Sequence, residues 1–556
     1  MGYVAPEFED DEDAFNRLKL LLKHVAEPTL FILDNVWPGS DSLLDNFSFQ
    51  LPDYKLLVTS ISTFPRFDCT QKLEPLNFED SMHLFCYSAG LQEGSSYVDE
   101  ELVTKVVKAC NGFPLALKVV GRSLYRQPPA IWRNRLKEWS KSGSLFETNK
   151  EILKCLKSSF DALDDTVVKD CYMDLGSFPE GQFISATALI DIWAELYKLE
   201  EDEMTSYLHK LSTLSLVDLA FKRKDGSEIE GYYEDHFVMQ HDLLRGMVNH
   251  LSNLDPIEER KRLVVDLVDR KFPDWWCQLK QPSFNARLLS FYTDETFSSS
   301  WCNMQAPEVE VLILNFRAKK YTLPRFTEME NLKALIVTNY GVGNAEIINF
   351  ELLSNLEKLR RIRMEQVLIP SITLNSGQLK SLQKLSLFMC TMGQDFSHDS
   401  IQISDRLPNL EEINIGYCSN LVVLPVGMCE AVKLKRLSIT YCNRLSKLPK
   451  EIGKLVDLQL LRLRSCINLL GLPDTIWSFD KLNTLDIADC LSIRKLPDGI
   501  GDLRCLRKLY MNGCSKCELP KSVINLRELK HVVCDEETAK SWEPIKHRFS
   551  NLRIGE

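Results

Sequence analysis

The sequence predicts a chain of several domains: an α/β module, then an all-α helical module and a winged helix, then an α/β solenoid. Three observations predict this order. An apolar strand near residue 30 ends in a carboxylate, helical periodicity dominates the stretch after residue 77, and a leucine pattern recurs every 24 residues between Leu410 and Pro520. Periods near 3.6 indicate helices, alternation indicates strands, and much longer periods indicate repeat architectures.

The first α/β module is predicted from one helical pattern and three candidate strands. The helical pattern covers residues 13–24, and the apolar run Thr29–Leu33 ends at Asp34. A buried parallel strand places a carboxylate beside a metal–phosphate site in this way. A second strand is predicted at Lys55–Thr59 and a third, short one near Gln71–Leu73. Such a site also needs a G-x-x-x-x-G-K-[ST] loop whose backbone N–H groups hold the phosphates, and this pattern does not occur in the sequence.

Two modules are predicted in the middle of the chain. Residues 77–148 are expected to form the helical module and residues 149–255 the winged helix. Two strand-like segments, Ser215–Lys222 and Tyr232–Met239, flank a turn signal at 224–226 and resemble the wing. The helix in the position of a recognition helix follows an acidic run, so DNA reading is not expected.

The strongest regularity is the unit L-x-x-L-x-L-x-x-C-x-x-L-x-x-L-P, which recurs with a spacing of 24 residues. We expect about nine leucine-rich repeats over residues 285–535, after a linker at 256–284 and before a C-terminal cap at 536–556. Each L-x-L segment predicts a short strand whose apolar side chains face a continuous core. Each cysteine is predicted to be a buried structural residue at a turn; these are Cys418, Cys442, Cys466, Cys490 and Cys514.

Polar side chains between the strand leucines are predicted to face the concave side of the solenoid, and several are basic although the chain is acidic. Two interpretations remain open. These residues form an ordinary solvated face, or they form a docking stripe for an acidic protein surface. The candidate partner-binding residues are Arg436, Arg462, Arg464, Lys508 and Tyr510, with Ser438 and Asp486 between them.

The composition disfavours several classes of function. A net charge of −11 disfavours nucleic acid as a partner, because phosphate binding needs positive patches. The apolar runs are shorter than the roughly 18 residues of a membrane-spanning helix, so membrane insertion is not expected. The 17 cysteines without an export signal favour reduced thiols in the cytoplasm, or also in the nucleus. No metal-binding spacing or catalytic motif occurs, so neither a metal site nor an enzyme of another class is expected.

Five motifs follow one another along the chain, and their order is more specific than any single motif. They resemble the motifs of plant NLR immune receptors, in which nucleotide-binding, helical and winged-helix modules precede leucine-rich repeats. The forms LGSFPE and QHD resemble the helper class, most closely the N-requirement-gene-1 subgroup and then the activated-disease-resistance subgroup. The resemblance implies an N-terminally truncated member whose residues 1–76 are a partial nucleotide-binding domain. The motifs are FILDNVW at 31–37, KLLVTS at 55–60, CNGFPLAL at 110–117, CYMDLGSFPE at 171–180 and QHD at 240–242.

The resemblance implies a vestigial nucleotide site that does not hydrolyse ATP. Asp34 matches the family's magnesium-side carboxylate, but Asn35 stands where the family has a second acid and cannot act as a base. Ile61 stands where an arginine senses the terminal phosphate. Phosphoryl transfer depends on positioning and charge neutralisation, so these replacements predict that ATPase activity is absent. In the family's sheet another strand separates the strand before Asp34 from that at Lys55–Thr59, so these two should re-pair or fray.

Three further residues match nucleotide contacts of the family. Pro114 matches a proline that packs on adenine, and His241 with Asp242 matches the pair that holds the ADP-bound state. The alternative for His241 is a helix N-terminal residue satisfied by local contacts. No cofactor is expected, although ADP or ATP with magnesium would bind if the sequence is part of a longer receptor.

Three functions are compatible with these patterns. The first is a non-catalytic regulator or antagonist in plant defence, which binds the partners of full-length helper NLRs. Those partners are expected to be a lipase-like immune signalling heterodimer and the full-length receptors themselves. The second is an ADP/ATP-binding, nucleotide-switched disease-resistance receptor that promotes hypersensitive cell death. The third is a generic leucine-rich-repeat scaffold.

Overall fold

The computed structural model contains two compact units, residues 1–76 and 77–556. The first is a small α/β unit, and the second contains helices, a small antiparallel sheet and a long solenoid. The residues that the structure describes are 11–25, 27–34, 36, 40–51, 53–60, 63–67, 69–91, 98–141, 156–157, 159–221, 236–267, 285–295, 297, 301, 306–326, 329–369, 378–393, 403–549 and 552–555.

In its described residues the first unit consists of a two-stranded parallel sheet and two helices. The strands pair directly, with Phe31 opposite Leu56. On one face Phe31 stacks on Phe47 of a helix, with ring centroids 4.9 Å apart. On the other face Leu30 and Ile32 remain more than half exposed. The elements are α1 (Asp11–His24), β1 (Thr29–Leu33), α2 (Asp41–Phe47) and β2 (Tyr54–Val58).

Two expectations for the first unit have definite outcomes. The two strands re-pair rather than fray, since β1 and β2 pair with each other in a regular parallel register. The third strand predicted near Gln71–Leu73 is wrong, because these residues form no strand and the side chain of Leu73 is 88% exposed. Leu73 is a single apolar residue between Lys72 and Glu74, which form an exposed ion pair. One apolar residue does not give a strand an apolar face that packing could bury.

Four helices open the second unit, and their ends carry recognisable caps. The side chain of Asn77 accepts a hydrogen bond from the backbone of Asp80, and Gly90 ends the same helix with a φ of 65°. Trp132 is buried edge-on against Phe85. The helices are α3 (Phe78–Ala89), α4 (Glu100–Ala109), α5 (Pro114–Leu124) and α6 (Pro129–Lys141).

The next segment combines helices with a three-stranded antiparallel sheet, in the strand order β3-β5-β4. The two longer strands pair with Leu219 opposite Val238, as a hairpin requires. The first strand begins at Asp218, three residues later than predicted, whereas residues 222–235, which include the turn signal at 224–226, lie outside the described residues. The elements are α7 (Thr166–Asp174), a 3₁₀ helix (Leu175–Ser177), β3 (Ile184–Ser185), α8 (Ala186–Tyr197), α9 (Glu201–Thr213), β4 (Asp218–Phe221), β5 (His236–Met239), α10 (Asp242–Ser252) and a 3₁₀ helix (Ile257–Glu259).

A 13-stranded parallel sheet lines one side of the solenoid, and a second sheet of four short strands, β9, β11, β13 and β15, lies beside part of it. The strands are β6 (Arg262–Leu267), β7 (Leu288–Thr293), β8 (Val311–Phe316), β9 (Lys320–Tyr321), β10 (Ala334–Asn339), β11 (Ala345–Ile347), β12 (Arg361–Glu365), β13 (Val367–Ile369), β14 (Lys384–Phe388), β15 (Thr391–Met392), β16 (Glu412–Gly416), β17 (Arg436–Thr440), β18 (Leu460–Arg462), β19 (Thr484–Asp486), β20 (Lys508–Tyr510), β21 (His531–Val533) and β22 (Arg553–Ile554).

The predicted limits of the repeats need correction at both ends. The segment 256–284, predicted as a linker, contains β6, which pairs in parallel with β7. The segment 536–556, predicted as a separate cap, contains β22, which pairs with β21. Both strands lack the full leucine and cysteine pattern, because terminal coils of a solenoid bury one side and need fewer apolar positions.

The core of the solenoid is continuous, as the repeat pattern predicts. The strand leucines and isoleucines are buried from β6 to the C-terminal region. Among the described residues, several return segments carry short helices, and consecutive ones between residues 403 and 525 pack on one another. These helices are the 3₁₀ helices Phe350–Asn355, Val426–Glu430, Lys450–Lys454, Asp474–Ser478, Asp498–Asp502, Lys521–Asn525 and Glu543–Arg548, together with α11 (Ile403–Arg406) and α12 (Glu536–Trp542).

Candidate interface between the helical segment and the solenoid

Asp34 lies at the carboxyl end of β1, as predicted, and its side chain is exposed. Its Oδ1 accepts a hydrogen bond from the hydroxyl of Thr59, which follows β2. The ladder of the sheet continues there, since Thr59 donates its backbone N–H to Leu33 O at 2.9 Å. Asn35 and Ile61 lie outside the described residues, so their predicted roles stay predictions.

The other predicted nucleotide contacts belong to the second unit. Pro114 is exposed at the first turn of α5, after a loop in which Asn111 and Gly112 have positive φ. His241 caps α10, and its Nδ1 accepts a hydrogen bond from Leu243 N at 3.2 Å. Asp242 begins that helix. The local contact of His241 agrees with the alternative of a helix N-terminal residue, and nucleotide binding by these residues remains a prediction.

An ion-pair network joins α8 to the concave side of the solenoid. Asp191 and Glu195 of α8 are buried, although both are charged, and they lie in an otherwise largely apolar helix. Arg361 of β12 contacts both, with Nη1 at 2.9 Å from Asp191 Oδ1 and Nε at 2.9 Å from Glu195 Oε1. Lys384 of β14 lies 3.0 Å from the same oxygen of Asp191. One turn of α8 is therefore held by two neighbouring strands.

The network continues along the concave side toward α9. Glu412 of β16 contacts Lys384 at 2.8 Å and Arg436 at 3.1 Å. Arg436 also contacts Glu201, the first residue of α9, at 2.7 Å. Burial alone would raise the pKa of Glu412, but the two cations outweigh it and hold that pKa at about 2. Glu412 thus stays ionised and links the cations of two strands.

A second cluster fixes α7 against the first strand of the solenoid. Arg262 of β6 donates from Nη2 to Asp170 Oδ1 at 2.8 Å and from Nε to Asp174. The carboxylate of Asp174 is fully buried and also accepts a hydrogen bond of 2.7 Å from the Tyr197 hydroxyl. Burial raises the pKa of Asp174, and Arg262 and Tyr197 oppose that change. Arg262 therefore supplies most of the compensation for a buried carboxylate.

The predicted docking stripe is partly covered or internal, which corrects the picture of an exposed face. Arg436 contacts Glu201 and Glu412, as described. Arg462 is 3% exposed and its Nε lies 3.1 Å from Asp486. Tyr510 is 5% exposed. Arg464 and Lys508 are half-buried on the later strands. The sequence could not reveal this, because alternation along a strand does not say which polar residues another module covers.

Sequence reasoning missed the acidic residues of α8. Asp191 and Glu195 are four residues apart in the helix ATALIDIWAELY, so they share one face. Two carboxylates in an otherwise apolar helix are a signal for a buried ion-pair partner. The partners, Arg361 and Lys384, lie more than 160 residues later, and sequence alone does not connect them.

Two further properties concern the part of the chain that the structure describes. Its helices are all too short or too polar to cross a lipid bilayer. Its histidines, cysteines and carboxylates form no cluster that could hold a metal ion.

The comparisons with known proteins identify relatives over the whole chain. Residues 425–543 match the family model of a leucine-rich repeat region. Two probable disease resistance proteins of Arabidopsis thaliana are 45% and 44% identical, over 100% of this chain and 68% of each relative. The disease resistance protein ADR1 of the same plant is 34% identical over 76% of this chain and 53% of its own length.

Solved structures resemble the chain in its repeats but with low overall agreement. The leucine-rich repeat domain of the type III effector XopL is 18% identical, covers 62% of this chain and 97% of its own, and gives a TM-score of 0.28. An internalin of Listeria monocytogenes is 14% identical, with 44% and 73% coverage and a TM-score of 0.28. The sequence relatives, not these structures, decide the family: the chain belongs to the plant NLR disease resistance proteins, on the branch that also contains ADR1.

Proposed function

We propose that this chain acts in plant defence as a non-catalytic regulator that binds the protein partners of full-length helper NLRs and antagonises their signalling. Its relatives are named as disease resistance proteins, which supports the defence role. We further propose that residues 1–76 correspond to part of a nucleotide-binding domain and residues 149–255 to a winged-helix module. The place of action would be the cytoplasm, or also the nucleus.

One observation carries the proposal of protein binding. The basic residues of the earlier strands, Arg361, Lys384 and Arg436, hold acidic helices of the same chain on the concave side. The solenoid is therefore already suited to hold an acidic helical surface. Arg464 and Lys508 extend the basic character along the later strands, where an acidic surface of a partner would find the same chemistry.

The sequence supports the proposal that this chain is not an ATPase. It contains no glycine-rich phosphate loop, and Asn35 and Ile61 stand at positions where the resemblance implies an acid and an arginine. In the structure Oδ1 of Asp34 accepts a hydrogen bond from the Thr59 hydroxyl. No cofactor is required for the proposed activity, since partner binding needs no phosphoryl transfer.

A pull-down with charge reversals tests the partner surface. The baits are this chain and its Arg464→Glu/Lys508→Glu variant, and the prey is the lipase-like heterodimer or a full-length helper NLR. We expect at least a tenfold loss of capture, because opposed charges become like charges. Lys481→Glu, at an exposed ion pair with Asp457, is the control and should bind normally. Arg462 is unsuitable, because reversal would bury a carboxylate beside Asp486.

Co-expression tests the sign of the effect. Increasing amounts of this chain, expressed in leaves with a fixed amount of an active full-length helper NLR, should reduce cell death in proportion to dose. The charge-reversal variant should have lost this effect, and the Lys481→Glu control should retain it. Increased cell death, or equal effects of all three proteins, would refute the antagonist role.

The second candidate is a nucleotide-switched receptor of which this chain is a part. Two observations favour this candidate. The chain aligns with 68% of the length of a disease resistance protein, and Asp34 lies at the end of β1. Denaturing the purified protein and measuring released ADP distinguishes the two candidates. About one ADP per chain would support the switch and defeat the proposal of a nucleotide-free regulator, whereas absence of ADP would support the regulator.

A further inference from the structure

A cavity of about 460 Å³ lies between the 3₁₀ helix Leu175–Ser177, helix α10 and the first strands of the solenoid. The motif LGSFPE forms one wall and residues of β6, β7 and β8 form the other. Neither the ion-pair network nor the proposed partner surface uses this cavity. Its lining is largely polar, which is unusual for a space between two packed modules.

Arg245 is a buried charge of this cavity; Arg262, which also lines it, is paired with Asp170 and Asp174. Arg245 is 9% exposed, and its Nη2 donates one long hydrogen bond of 3.4 Å to Gly176 O. Among the described residues, the other guanidinium N–H groups have no hydrogen-bond partner and no carboxylate within ion-pair distance. Burial lowers the pKa of Arg245, and the nearby charges of Glu180 and Asp242 do not compensate for it. A buried cation in this state gains strongly from an anion.

Three other groups provide donors around the same space. Arg317 lies at the exposed side of the cavity, and Tyr292 and Tyr340 line it. Burial raises the pKa of both tyrosines, so their hydroxyl groups stay protonated and can donate. The carboxylates that line the cavity belong to Glu180 and Asp266, which are exposed residues, although partial burial and the charge of Asp294 raise the pKa of Asp266.

The wall also contains two buried polar atoms that lack a hydrogen-bond partner within the described part of the chain, Ser177 Oγ and Asn315 Oδ1. They belong to a short polar chain: Ser290 Oγ donates to Ser177 O at 2.6 Å, and Asn315 Nδ2 donates to Ser290 Oγ at 3.3 Å. Unsatisfied buried groups of this kind often mark a site completed by a ligand or water. An acceptor such as Asn315 Oδ1 calls for a hydroxyl donor.

We propose that this cavity binds a small hydroxylated oxyanion, with Arg245 and Arg317 as its charged contacts. Guanidinium groups bind phosphate and carboxylate with the same paired hydrogen bonds, so both are candidates for the oxyanion. The tyrosines would donate to the oxyanion or to its hydroxyl groups. Because the cavity lies between α10 and the solenoid, the ligand would stabilise their junction. This inference is independent of the proposed antagonist function.

Calorimetric titration of the full chain tests the proposal with four probes: glucose 6-phosphate, gluconate, inorganic phosphate and glucose. We expect binding of glucose 6-phosphate or gluconate, weaker binding of inorganic phosphate and none of glucose. The ratio of the first two identifies the oxyanion as phosphate or carboxylate. Absence of binding by all three anions would overturn the proposal, and so would binding of glucose with equal affinity.

Variants separate this site from other anion-binding surfaces. Arg245→Met keeps the length of the side chain and removes the buried charge, so it should fold and bind at least a hundredfold less tightly. Arg317→Ala and Tyr292→Phe are milder changes, and each should weaken binding about tenfold. They test the site even if Arg245→Met proves unstable. Arg325→Ala, at an exposed arginine that does not line the cavity, is the control. Unchanged affinity in the first three variants would refute the site.

Discussion

Several buried charges of the second unit, unlike Arg245, are held by charged or hydroxyl partners at hydrogen-bond distance. Asp174 contacts Arg262 and the Tyr197 hydroxyl, and Lys384 lies between Asp191 and Glu412. A paired buried charge adds little net stability, but removal of one partner leaves the other charge buried and uncompensated. Single substitutions at these residues should therefore have large effects, and neighbouring exposed pairs should not.

Two adjacent cations, Lys261 just before β6 and Arg262 at its first position, allow a direct test of this difference. Arg262→Leu should lower the free energy of unfolding by about 3–5 kcal/mol, because it leaves the carboxylate of Asp174 buried without its cation. Lys261 pairs with Asp170 at 3.4 Å but is 69% exposed, so Lys261→Leu should cost less than about 1 kcal/mol. Urea denaturation followed by tryptophan fluorescence measures both. Equal losses would contradict the role of burial.

The low pKa of Glu412 predicts that the free energy of unfolding depends on pH. Its folded pKa of about 2 is below the ordinary value of 4.5, so the ionised form stabilises the fold above the unfolded pKa. This contribution, about 3 kcal/mol, is lost as the pH falls from about 4.5 toward 2. The cost of Glu412→Gln should thus be largest near neutral pH and shrink in acid.

The neighbouring residue supplies the control for this measurement. Glu411 pairs with Lys435 at 2.9 Å, but both side chains are more than 40% exposed. Glu411→Gln should change the unfolding free energy little and almost equally at each pH. A pH-independent cost of Glu412→Gln, measured by urea denaturation of the two variants in parallel, would show that the carboxylate is not held ionised.

At the scale of the element, each full repeat turns at the same two positions, which are the cysteine of the repeat pattern and the residue before it. The residue before the cysteine has a left-handed φ of 55–59° at Tyr417, Tyr441, Ser465 and Asp489, and Gly513 takes the same position in the next repeat. The cysteine that follows is buried in the core, and the thiols of Cys418, Cys466, Cys490 and Cys514 each donate to a backbone carbonyl of the preceding coil. One such bond is Cys490 Sγ to Leu463 O at 2.7 Å. The thiols thus satisfy backbone carbonyls that the turn leaves unpaired.

This arrangement predicts which cysteines react. Burial raises the pKa of Cys466 and of Cys514 to about 12, so their thiolate fraction near neutral pH is roughly a thousandfold below that of a free thiol. Iodoacetamide should label Cys69 and Cys505, which are exposed, long before the buried cysteines of the repeats. Mass spectrometry measures the labelling, and guanidinium chloride should make the cysteines of the repeats react as well. Rapid labelling of Cys514 or Cys517 in the native protein would contradict their assignment as buried, unreactive thiols.

At the scale of the molecule, the sequence predicts whatever is periodic and misses whatever depends on distant contacts. The leucine spacing predicts the solenoid because each repeat must bury the same positions. β6 lies in the segment predicted as a linker, because Arg262–Leu267 does not carry the full leucine and cysteine unit. The covering of Arg436 by Glu201, 235 residues earlier, follows from tertiary packing alone. For Asp34 and His241 the structure shows local hydrogen bonds. Nucleotide binding by these residues and by the other predicted contacts stays a prediction.

The two units differ in how much apolar surface they bury, and this predicts separate stabilities. Among the described residues of the first unit, Val36 and Leu44 are the buried apolar side chains, whereas the core of the solenoid is continuous. Small cores are marginal, because chain entropy nearly cancels the gain from burial. Hydrogen exchange under increasing denaturant should therefore expose the amides of β1 and β2 well before those of β16 to β20.

Two matched substitutions make this prediction specific to each unit. Leu44→Ala and Leu485→Ala each remove a fully buried leucine, at a cost of about 2–5 kcal/mol. In the first unit this cost is comparable with its whole stability, so Leu44→Ala should abolish protection of β1 and β2 without denaturant and leave the solenoid protected. Leu485→Ala should lower the midpoint for β18 to β20 while the first unit is unchanged, since the repeats have stability in reserve. Simultaneous exchange of both units in either variant would show that they unfold as one cooperative body.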